Sequence, residues 1–383
     1  MGNLKYGGSI YMQFIDLSAQ YDVLKSEINS GIQKVLDHGQ YIMGPEVKEL
    51  ENELSGYVGV KHCLTCANGT DALQLLFMAN DIGVNDAVFT TNLTMIATIE
   101  PACMLGAVPV FCDIDNDSYN ICIDSLERQI KAVLKEGKYL PKAVIAVDIF
   151  GNPCDYDALD AICKKYNLLL IEDAAQSFGS SYKGKLCGSF GQSAITSFFP
   201  AKPLGCYGDG GAIFTNDDSI AELCESLRVH GKGPDGKYAN IRVGVNSRLD
   251  TLQAALLLAK LNAFPNELEC RQVIAARYND AFSGIFKTPT ISDGSVSAYA
   301  QYVLLANNEV KRNTIIDKLN SNNIPNMIYY PMPLHNIPIF KSTNHYDETF
   351  PISTDYCSRT FSIPFHPYLT ESDQDKIIKA VLG

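Results

Sequence analysis

Lys202 is a lysine whose neighbours in the sequence favour a reactive amine. Pro200 and Pro203 flank it, so the backbone there is predicted to be neither helix nor inner strand. Aromatic residues precede it and glycines follow, and we expect this segment to shield the ammonium from water. Partial desolvation lowers the pKa of an ammonium, and the free amine is a nucleophile that forms a Schiff base with an aldehyde. We therefore predict that Lys202 binds pyridoxal 5'-phosphate (PLP), a cofactor that carries an aldehyde.

Residues 67–73 could hold the phosphate of such a cofactor. They follow a predicted strand and open a predicted helix, and Gly69 permits a tight turn between the two. The Thr70 hydroxyl and the first N–H groups of the helix suit a phosphate, which the helix dipole also favours. The same residues form a good turn with an N-cap, so this segment alone does not decide between the two interpretations.

Asp173 follows a run of apolar residues at 168–171 and is placed where a buried strand ends. Ligands of open α/β sheets bind at these carboxyl ends. A carboxylate there can keep a pyridinium nitrogen protonated, although an N-cap or a surface turn would also use an aspartate. Ser197 adds a hydroxyl five residues before Lys202. A phosphate loop, a strand-end aspartate, a serine and a loop lysine together favour a PLP site.

The elements that must position these residues alternate between strand and helix. Strands are predicted at 61–66, 86–91, 108–112, 142–148, 168–172, 193–198 and 211–215, and helices at 20–38, 44–58, 70–80, 95–105, 124–136 and 155–166. Several strands are apolar throughout, which is typical of a sheet that is buried on both faces. The alternation predicts a mainly parallel α/β sheet with helices on both sides.

The last hundred residues have a different pattern. Helices are predicted at 217–228 and 249–284, followed by extended segments at 299–306 and 326–331 and helices at 309–321 and 371–382. We predict a leader at 1–13, a large α/β domain at 14–284 and a small α+β domain at 285–383.

Composition excludes several classes of function. The formal net charge of −12 and the absence of a basic stripe argue against nucleic-acid binding. No signal peptide and no apolar run of about 20 residues is visible, which predicts a cytoplasmic protein that does not bind membranes. The 12 cysteines are expected to be free thiols. Cys63 and Cys66 form an isolated C-x-x-C without zinc-ligand spacing, so no metal is expected and both are interpreted as small apolar strand residues.

The chain resembles the StrS/DegT type of PLP-dependent nucleotide-sugar aminotransferases, which have the fold-type I architecture. The likeness runs from about Phe14 to the C-terminus and is carried by NGTDAL at 68–73, EDAAQ at 172–176, SFFPAKPLG at 197–205, GDGG at 208–211 and GVNSRLD at 244–250. Within the family, YIMGPEV at 41–47 and IRVGVNSRLD at 241–250 resemble the subgroup of UDP-2-acetamido-2-deoxy-3-oxo-glucuronate aminotransferases.

This resemblance implies a role for each matching residue. Lys202 would form the Schiff base, and Asp173 would pair with the pyridinium nitrogen. Gln176 would lie against the ring or its 3-oxygen. The phosphate would be held by Gly69, Thr70 and Ser197. Met95 stands where the family usually has an aromatic residue stacked on the ring, and a thioether can also pack on a π face.

The resemblance also implies a homodimer with shared sites, because Asn246 would reach the cofactor phosphate of the other subunit. Arg248 would contact a sugar carboxylate, for which its planar fork is suited. An ion pair with Asp250 or with an acidic residue of a partner chain is the alternative. Tyr329 and Tyr330 would contact substrate, in a Tyr-Tyr-Pro segment where this subgroup has His-Tyr-Pro.

The implied reaction transfers an amino group from L-glutamate to a keto-sugar nucleotide, for lipopolysaccharide, O-antigen or other surface-polysaccharide biosynthesis. The C3 ketone of a UDP-linked 3-oxo sugar, including a 3-oxo-uronate, is the first candidate. A C3 or C4 ketone of a TDP- or GDP-linked deoxy sugar is the alternative. A PLP-dependent sugar dehydratase of this family would have histidine in place of Lys202, and a non-catalytic regulator would be expected to lose Lys202 or Asp173. A dinucleotide-dependent oxidoreductase would need G-x-G-x-x-G after the first strand, which the chain lacks.

Overall fold

The structure is a computed structural model that describes residues 12–235, 238–346 and 348–383. The predicted leader at 1–13 lies outside the described residues except for Met12 and Gln13. Helices in the described ranges are α1 (Leu17–His38), α2 (Pro45–Val58), α3 (Gly69–Ala79), α4 (Glu100–Met104), α5 (Ile123–Glu136), α6 (Tyr156–Tyr166), α7 (Asp218–Leu227), α8 (Thr251–Phe282), α9 (Glu309–Ser321), α10 (Pro351–Arg359) and α11 (Glu371–Leu382). None of them is both long and apolar enough to cross a lipid bilayer.

The seven strands predicted up to residue 215 are present with closely similar bounds, whereas the short strands at 181–182 and 185–186 were not predicted. The strands in the described ranges are β1 (His62–Cys66), β2 (Asp86–Thr91), β3 (Val108–Cys112), β4 (Leu140–Val147), β5 (Leu169–Asp173), β6 (Ser181–Tyr182), β7 (Lys185–Leu186), β8 (Ser193–Ser197), β9 (Gly211–Thr215), β10 (Ser295–Val296), β11 (Tyr302–Leu305) and β12 (Thr360–Ile363).

A seven-stranded sheet forms the centre, in the order β1-β9-β8-β5-β4-β2-β3. The strands from β8 to β3 are parallel to their neighbours, whereas β9 is antiparallel to both β8 and β1. Because β9 is antiparallel to both of its neighbours, β1 runs in the same direction as β8 and β5. The carboxyl ends of β1, β5 and β8 therefore lie at the same edge of the sheet, which is the edge where ligands of such sheets bind.

Helices cover both faces of this sheet, because successive strand residues point to opposite sides. In β2, Val88 packs with α3, α4 and α7 in one apolar cluster, whereas Ala87 and Phe89 pack with α5 and α6 in another. A third cluster joins α2 and the first half of α8 to β8 and β9. The predicted architecture, a mainly parallel α/β sheet with helices on both sides, is confirmed.

Cys63 and Cys66 are buried free thiols in β1. Cys63 belongs to the cluster with α2 and α8, and Cys66 to the cluster with α3. The two thiols thus point to opposite faces of the sheet, as expected for residues three apart in a strand, and each acts as a small apolar side chain.

The C-terminal region packs around the antiparallel pair of β11 and β12. Its apolar cluster contains residues of α9 and α11 and the second half of α8, including Ile274 and Tyr278. The 32-residue helix α8 therefore packs in this cluster with its second half, whereas its first half packs in the cluster with α2, β8 and β9 and in a further cluster with α1. The division at residues 284 and 285 stays a prediction, and the placement of α8 agrees with a helix that leads from one region to the other.

Two predicted elements are wrong in detail. The helix expected at 95–105 is interrupted: a 3₁₀ turn covers Ile96–Thr98, and α4 begins at Glu100. Pro101 lacks an N–H group and is suited to the first turn of a helix, so a new helix begins beside it. The extended segment at 326–331 forms no strand, and its only sheet-like contact among the described residues is the bridge between Met327 and Ser362.

Candidate active site

A cavity of about 620 Å³ lies at the carboxyl edge of the sheet, between the ends of β5 and β8 and the start of α3. It brings together most of the residues predicted for the site. Its walls contain Gly69, Thr70, Met95, Asp173, Gln176, Ser197, Lys202, Tyr329 and Tyr330. Most of these residues, although far apart in the sequence, converge here because they terminate or follow strands that end at this edge.

Asp173 is the last residue of β5 and is 5% exposed. The Thr98 hydroxyl donates a hydrogen bond of 2.8 Å to Asp173 Oδ2, and the backbone N–H of Ala175 donates one of 3.1 Å to Oδ1. Burial raises the pKa of Asp173, while these two donors and the charge of Lys202 oppose the rise. The carboxylate is therefore held in one orientation at the floor of the cavity.

Lys202 lies in the loop of residues 198–210 that joins β8 to β9, and we call this segment the lysine loop. Its backbone N–H donates to the Phe199 carbonyl at 2.9 Å, and the side chain faces the cavity. Burial lowers the pKa of Lys202, and the negative charge of Asp173 opposes this shift. The direction is the one expected from the proline- and aromatic-rich sequence, and it raises the share of free amine.

Gln176 is buried beside Asp173 and has both ends of its amide engaged. Its Oε1 accepts a hydrogen bond of 2.8 Å from the backbone N–H of Phe150. Its Nε2 donates to the Tyr330 hydroxyl at 3.2 Å. These contacts connect the ends of β4 and β5 to the segment that contains Tyr330, and they fix the side of the cavity opposite the lysine loop.

The start of α3 forms a narrow cradle against β8 and β9. Asn68 caps the helix by accepting a hydrogen bond of 2.8 Å from the Asp71 N–H. A Cβ atom on Gly69 would lie 3.0 Å from Ser197 Cβ, and one on Gly211 would lie 2.4 Å from the Asn68 carbonyl carbon. Gly211 therefore requires glycine, and a side chain at residue 69 would fit only if Ser197 moved. The free N–H groups at the start of α3 remain open to the cavity.

Met95 and Tyr329 border the entrance of the cavity. Met95 is 56% exposed and sits just before the 3₁₀ turn that carries Thr98. Tyr329 stacks obliquely on Phe14 and packs edge-on against Tyr330. Burial raises the pKa of the Tyr330 hydroxyl, so this group remains protonated near neutral pH and can act as a hydrogen-bond donor.

Asn246 and Arg248 do not line this cavity. Asn246 is exposed, and Arg248 is partly exposed. In the described part of the chain, the Arg248 guanidinium has no ion pair and no hydrogen bond, so the alternative ion pair with Asp250 is not formed within the chain. The structure thus separates these two residues from the others, and their predicted roles involve a second subunit.

Sequence reasoning missed Thr98 and Gln301 as cavity residues. Thr98 also shares a hydrogen bond of 2.9 Å with the Thr94 hydroxyl, so a chain of hydroxyls supports Asp173. Gln301 has a buried Oε1 without a hydrogen-bond partner among the described residues. No local pattern marks either residue, because each acquires its role only through contact with distant elements.

Three potential metal ligands, Asp148, Glu172 and Cys187, lie together behind the floor of the cavity. The carboxylate oxygens already accept hydrogen bonds: Asp148 from Ser177, Tyr156 and the Cys154 N–H, and Glu172 from the backbone of residues 188 and 190. Burial raises the pKa of both carboxyls, and the charge of Asp148 raises the pKa of Glu172 further. Asp148 and Glu172 therefore form a buried carboxyl pair that is hydrogen-bonded and in which burial favours the protonated form.

Comparison with known proteins agrees with this geometry. A model of the DegT/DnrJ/EryC1/StrS aminotransferase family matches residues 22–382. The chain is 46% identical to the UDP-2-acetamido-2-deoxy-3-oxo-D-glucuronate aminotransferase of Pseudomonas aeruginosa, over 97% of this chain and 99% of that protein.

Solved structures show the same architecture. The crystal structure of a DegT DnrJ EryC1 StrS aminotransferase from Brucella abortus is 47% identical, with a TM-score of 0.95 over 97% of this chain and 99% of that chain. The crystal structure of NtdA from Bacillus subtilis with bound cofactor PMP is 25% identical, with a TM-score of 0.86 over 96% of this chain and 82% of that chain.

The chain belongs to the DegT/DnrJ/EryC1/StrS aminotransferase family. It is a PLP-dependent aminotransferase of fold type I, as the sequence predicted. The cavity suits this cofactor. An acid able to pair with a ring nitrogen, an amine with a lowered pKa and a glycine cradle at a helix start are present together.

Proposed function

We propose that Lys202 is the cofactor-binding and proton-transferring lysine and that Asp173 is the partner of the cofactor ring nitrogen. The observation that carries this proposal is the convergence of the two side chains on one cavity, from the ends of the neighbouring parallel strands β5 and β8. Gly69, Thr70 and Ser197 would bind the phosphate, with Gln176 and Met95 beside the ring.

Each residue has a distinct part in the reaction. When bound, PLP supplies an aldehyde that exchanges amines and a ring that accepts electron density. Lys202 Nζ, as a free amine, takes a proton from the carbon of the amino donor and later returns one to the acceptor. The Asp173 carboxylate, oriented by Thr98, keeps a proton on the ring nitrogen. Tyr330 and Gln176 exclude water from this side and orient the bound groups.

The proposed amino donor is L-glutamate, and the proposed acceptor is the C3 ketone of a UDP-linked 3-oxo sugar. Similarity to the Pseudomonas aeruginosa enzyme supports this choice and includes a 3-oxo-uronate among the candidates. The Arg248 guanidinium, which has no ion pair within the described residues, offers a binding partner for a sugar carboxylate. The product would be an amino sugar for a surface polysaccharide such as an O-antigen, made in the cytoplasm.

A homodimer with shared active sites is part of the proposal. Asn246 and Arg248 are at least partly exposed and do not line the cavity of their own chain, so a second subunit would be needed to give them a place in a site. Sedimentation analysis at micromolar concentration tests the dimer, and a monomer that remains fully active would contradict it.

The function is tested by following the two half-reactions separately. L-glutamate added to the holoenzyme should convert the bound cofactor to its amine form, with loss of its long-wavelength absorbance and release of one 2-oxoglutarate per site. A panel of UDP-, TDP- and GDP-linked keto sugars with C3 or C4 ketones should then restore the absorbance, fastest for the UDP-linked 3-oxo-uronate. A regulator would show neither change, and a dehydratase would act on sugar without forming 2-oxoglutarate.

Lys202→Ala tests the role of the lysine within the same assay. We expect turnover to fall below detection and the absorbance of the lysine-bound cofactor to disappear. Lys164→Ala is the matched control, because Lys164 is exposed, pairs with the exposed Asp160 and does not line the cavity. An unchanged cofactor spectrum in Lys202→Ala would overturn the assignment.

A further inference from the structure

Lys260 is a buried lysine that the catalytic proposal does not use. It lies in the first half of α8 and is 1% exposed. Its Nζ donates a hydrogen bond of 2.7 Å to the carbonyl of Gly205, which belongs to the lysine loop. The same Nζ lies 4.0 Å from the centre of the Tyr207 ring, within the range of a cation–π contact.

The lysine loop depends on a small number of internal hydrogen bonds. The Phe198 N–H donates to the Gly210 carbonyl at 2.7 Å and closes the loop at its base, and the Cys206 N–H donates to the Phe198 carbonyl at 2.8 Å. A Cβ on Gly205 would lie 2.6 Å from the carbonyl oxygens of Phe199 and Pro200. The chain is therefore tightly folded beside Lys202, and the Gly205 carbonyl is turned towards α8.

Helix α8 also contacts the loop at two residues, Gly205 and Tyr207. Gln253 Oε1 accepts a hydrogen bond of 2.9 Å from the Tyr207 N–H, and Lys260 Nζ donates to the Gly205 carbonyl. Gln253 and Lys260 are seven residues apart, which is two helical turns and places them on one face.

A buried ammonium at the position of Lys260 lowers the stability of the fold, so we expect its contacts to have a structural role. An apolar side chain would fill the same space without the desolvation penalty of a buried ammonium. The ammonium has one carbonyl and one aromatic ring as close partners, and both belong to the lysine loop. Both contacts would be lost if the lysine loop moved away from α8, whereas the hydrogen bond to Gly205 needs only an N–H of Lys260 and is kept by the neutral amine.

We propose that Lys260 is a positioning residue that fixes the lysine loop, and with it the Lys202 amine, in the orientation needed for aminotransfer. This inference rests on the proposed role of Lys202. It adds that the loop conformation is coupled to the proton on Lys260, because opening the loop returns this amine to water.

The sign of that coupling follows from the surroundings of Lys260. Burial lowers the pKa of Lys260 to about 8, while the charges of Glu267, on the same helix, and Cys206, in the loop, oppose the shift. Tyr21 and Tyr207 pack at the same place. Burial raises the pKa of Tyr207 to about 12, so the Tyr207 hydroxyl stays neutral in this range. Closure of the loop thus releases a proton, so raising the pH through about 8 favours the closed loop.

Hydrogen exchange of the full-length holoenzyme tests this coupling without turnover. For peptides covering residues 198–210, we expect protection, corrected for intrinsic exchange, to rise about tenfold between pH 7 and pH 9, given a pKa of about 10.4 for a hydrated lysine. Lys260→Arg keeps a charged donor throughout this range, so its protection should not change with pH. Protection of wild-type residues 198–210 that does not rise with pH would overturn the coupling.

Lys260→Met tests the positioning itself. We expect its loop protection to be independent of pH and kcat to fall about tenfold with less than a twofold change in KM for L-glutamate, because a misplaced amine slows proton transfer more than binding. Ile274→Ala is the matched control, since Ile274 is buried in the same helix but packs in the C-terminal cluster.

The outcomes separate the two proposals. If Ile274→Ala alters the lysine loop in the same way, or if Lys260→Met has the wild-type protection curve, the positioning role is wrong. If Lys260→Met does not fold, the Lys260→Arg curve decides. Loss of the proposed function would appear in the half-reactions of Lys202→Ala and would leave the exchange result unaffected.

Discussion

Asp173 and Arg248 are charged side chains in contrasting situations. Both oxygens of Asp173 accept hydrogen bonds from its own chain, from Thr98 and from the Ala175 N–H. The Arg248 guanidinium forms neither a hydrogen bond nor an ion pair with any residue that the structure describes. The surroundings of Asp173 are therefore complete within one chain. Arg248 presents unused donors, as expected of a surface that binds a substrate or a second subunit.

The difference follows from where the two residues lie. Asp173 ends β5, the central strand of the seven-stranded sheet, where Thr98 and the Ala175 N–H supply its two donors. Arg248 lies in an extended segment just before α8, and Ser247 is its buried neighbour. Ser247 Oγ accepts a hydrogen bond of 3.1 Å from the Ala67 N–H, so the segment is anchored while Arg248 remains available.

Among the substitutions that test this comparison, Asp173→Asn should have the largest effect on activity. An amide cannot keep a proton on the ring nitrogen by its charge, so we expect kcat to fall about 10²- to 10³-fold, in the range for loss of one preorganised electrostatic group. Cofactor content is measured by absorbance on the same samples. Asp160→Asn, which changes an exposed carboxylate, should retain full activity. A loss of less than tenfold would argue against a role at the ring nitrogen.

Arg248→Ala should have a smaller and more selective effect. With a UDP-linked 3-oxo-uronate, we expect KM to rise about 10- to 100-fold, as for loss of a charge-assisted hydrogen bond of ~1.5–3 kcal/mol. With the corresponding sugar that lacks the carboxylate, KM should change less than threefold. Arg128→Ala, which removes an exposed arginine that pairs with Glu348 and does not line the cavity, is the control. Equal losses on both sugars would assign Arg248 to the dimer and not to the carboxylate.

Thr98→Val should weaken the support of Asp173 without removing the charge of its carboxylate. Loss of the hydroxyl removes a donor that favours the ionised form of Asp173, so the pKa of Asp173 should rise further. We expect kcat to fall about tenfold, in keeping with one hydrogen bond to a charged group, and the acidic limb of its pH profile to move to higher pH. Thr98→Ser keeps the hydroxyl and should restore both. An unchanged acidic limb would contradict this role.

Glu172→Gln should have the smallest effect on activity, within about threefold, and a clear effect on stability. Burial raises the pKa of Glu172, so the folded protein binds a proton that the unfolded chain releases above pH 4 or so. The free energy of unfolding should therefore fall as the pH rises from there, by up to about 1.4 kcal/mol per pH unit for one proton. Urea unfolding at several pH values should show a flatter dependence in Glu172→Gln, whereas an identical slope would exclude the raised pKa.

Much of the site was predictable because its residues lie at the ends of elements with clear local patterns. The glycine at the start of α3, the aspartate at the end of β5 and the lysine between two prolines were all found from sequence alone, and the structure places them on one cavity. The helix at 95–105 was predicted without its break, because a single proline can either begin a helix or sit within the first turn of a longer one.

The sequence alone determined the order of strands and helices, the α/β class and the short segments whose residues carry the chemistry. These depend on local periodicity and on residues such as glycine and proline, whose backbone preferences act wherever they occur. Only the tertiary structure decided that Thr98 supports Asp173, that Gly211 must be glycine and that Lys260 holds the lysine loop. Those contacts join residues 55 to 143 positions apart, such as Lys260 with Gly205 and Gly211 with Asn68, and no local pattern encodes which distant side chain meets a given strand end.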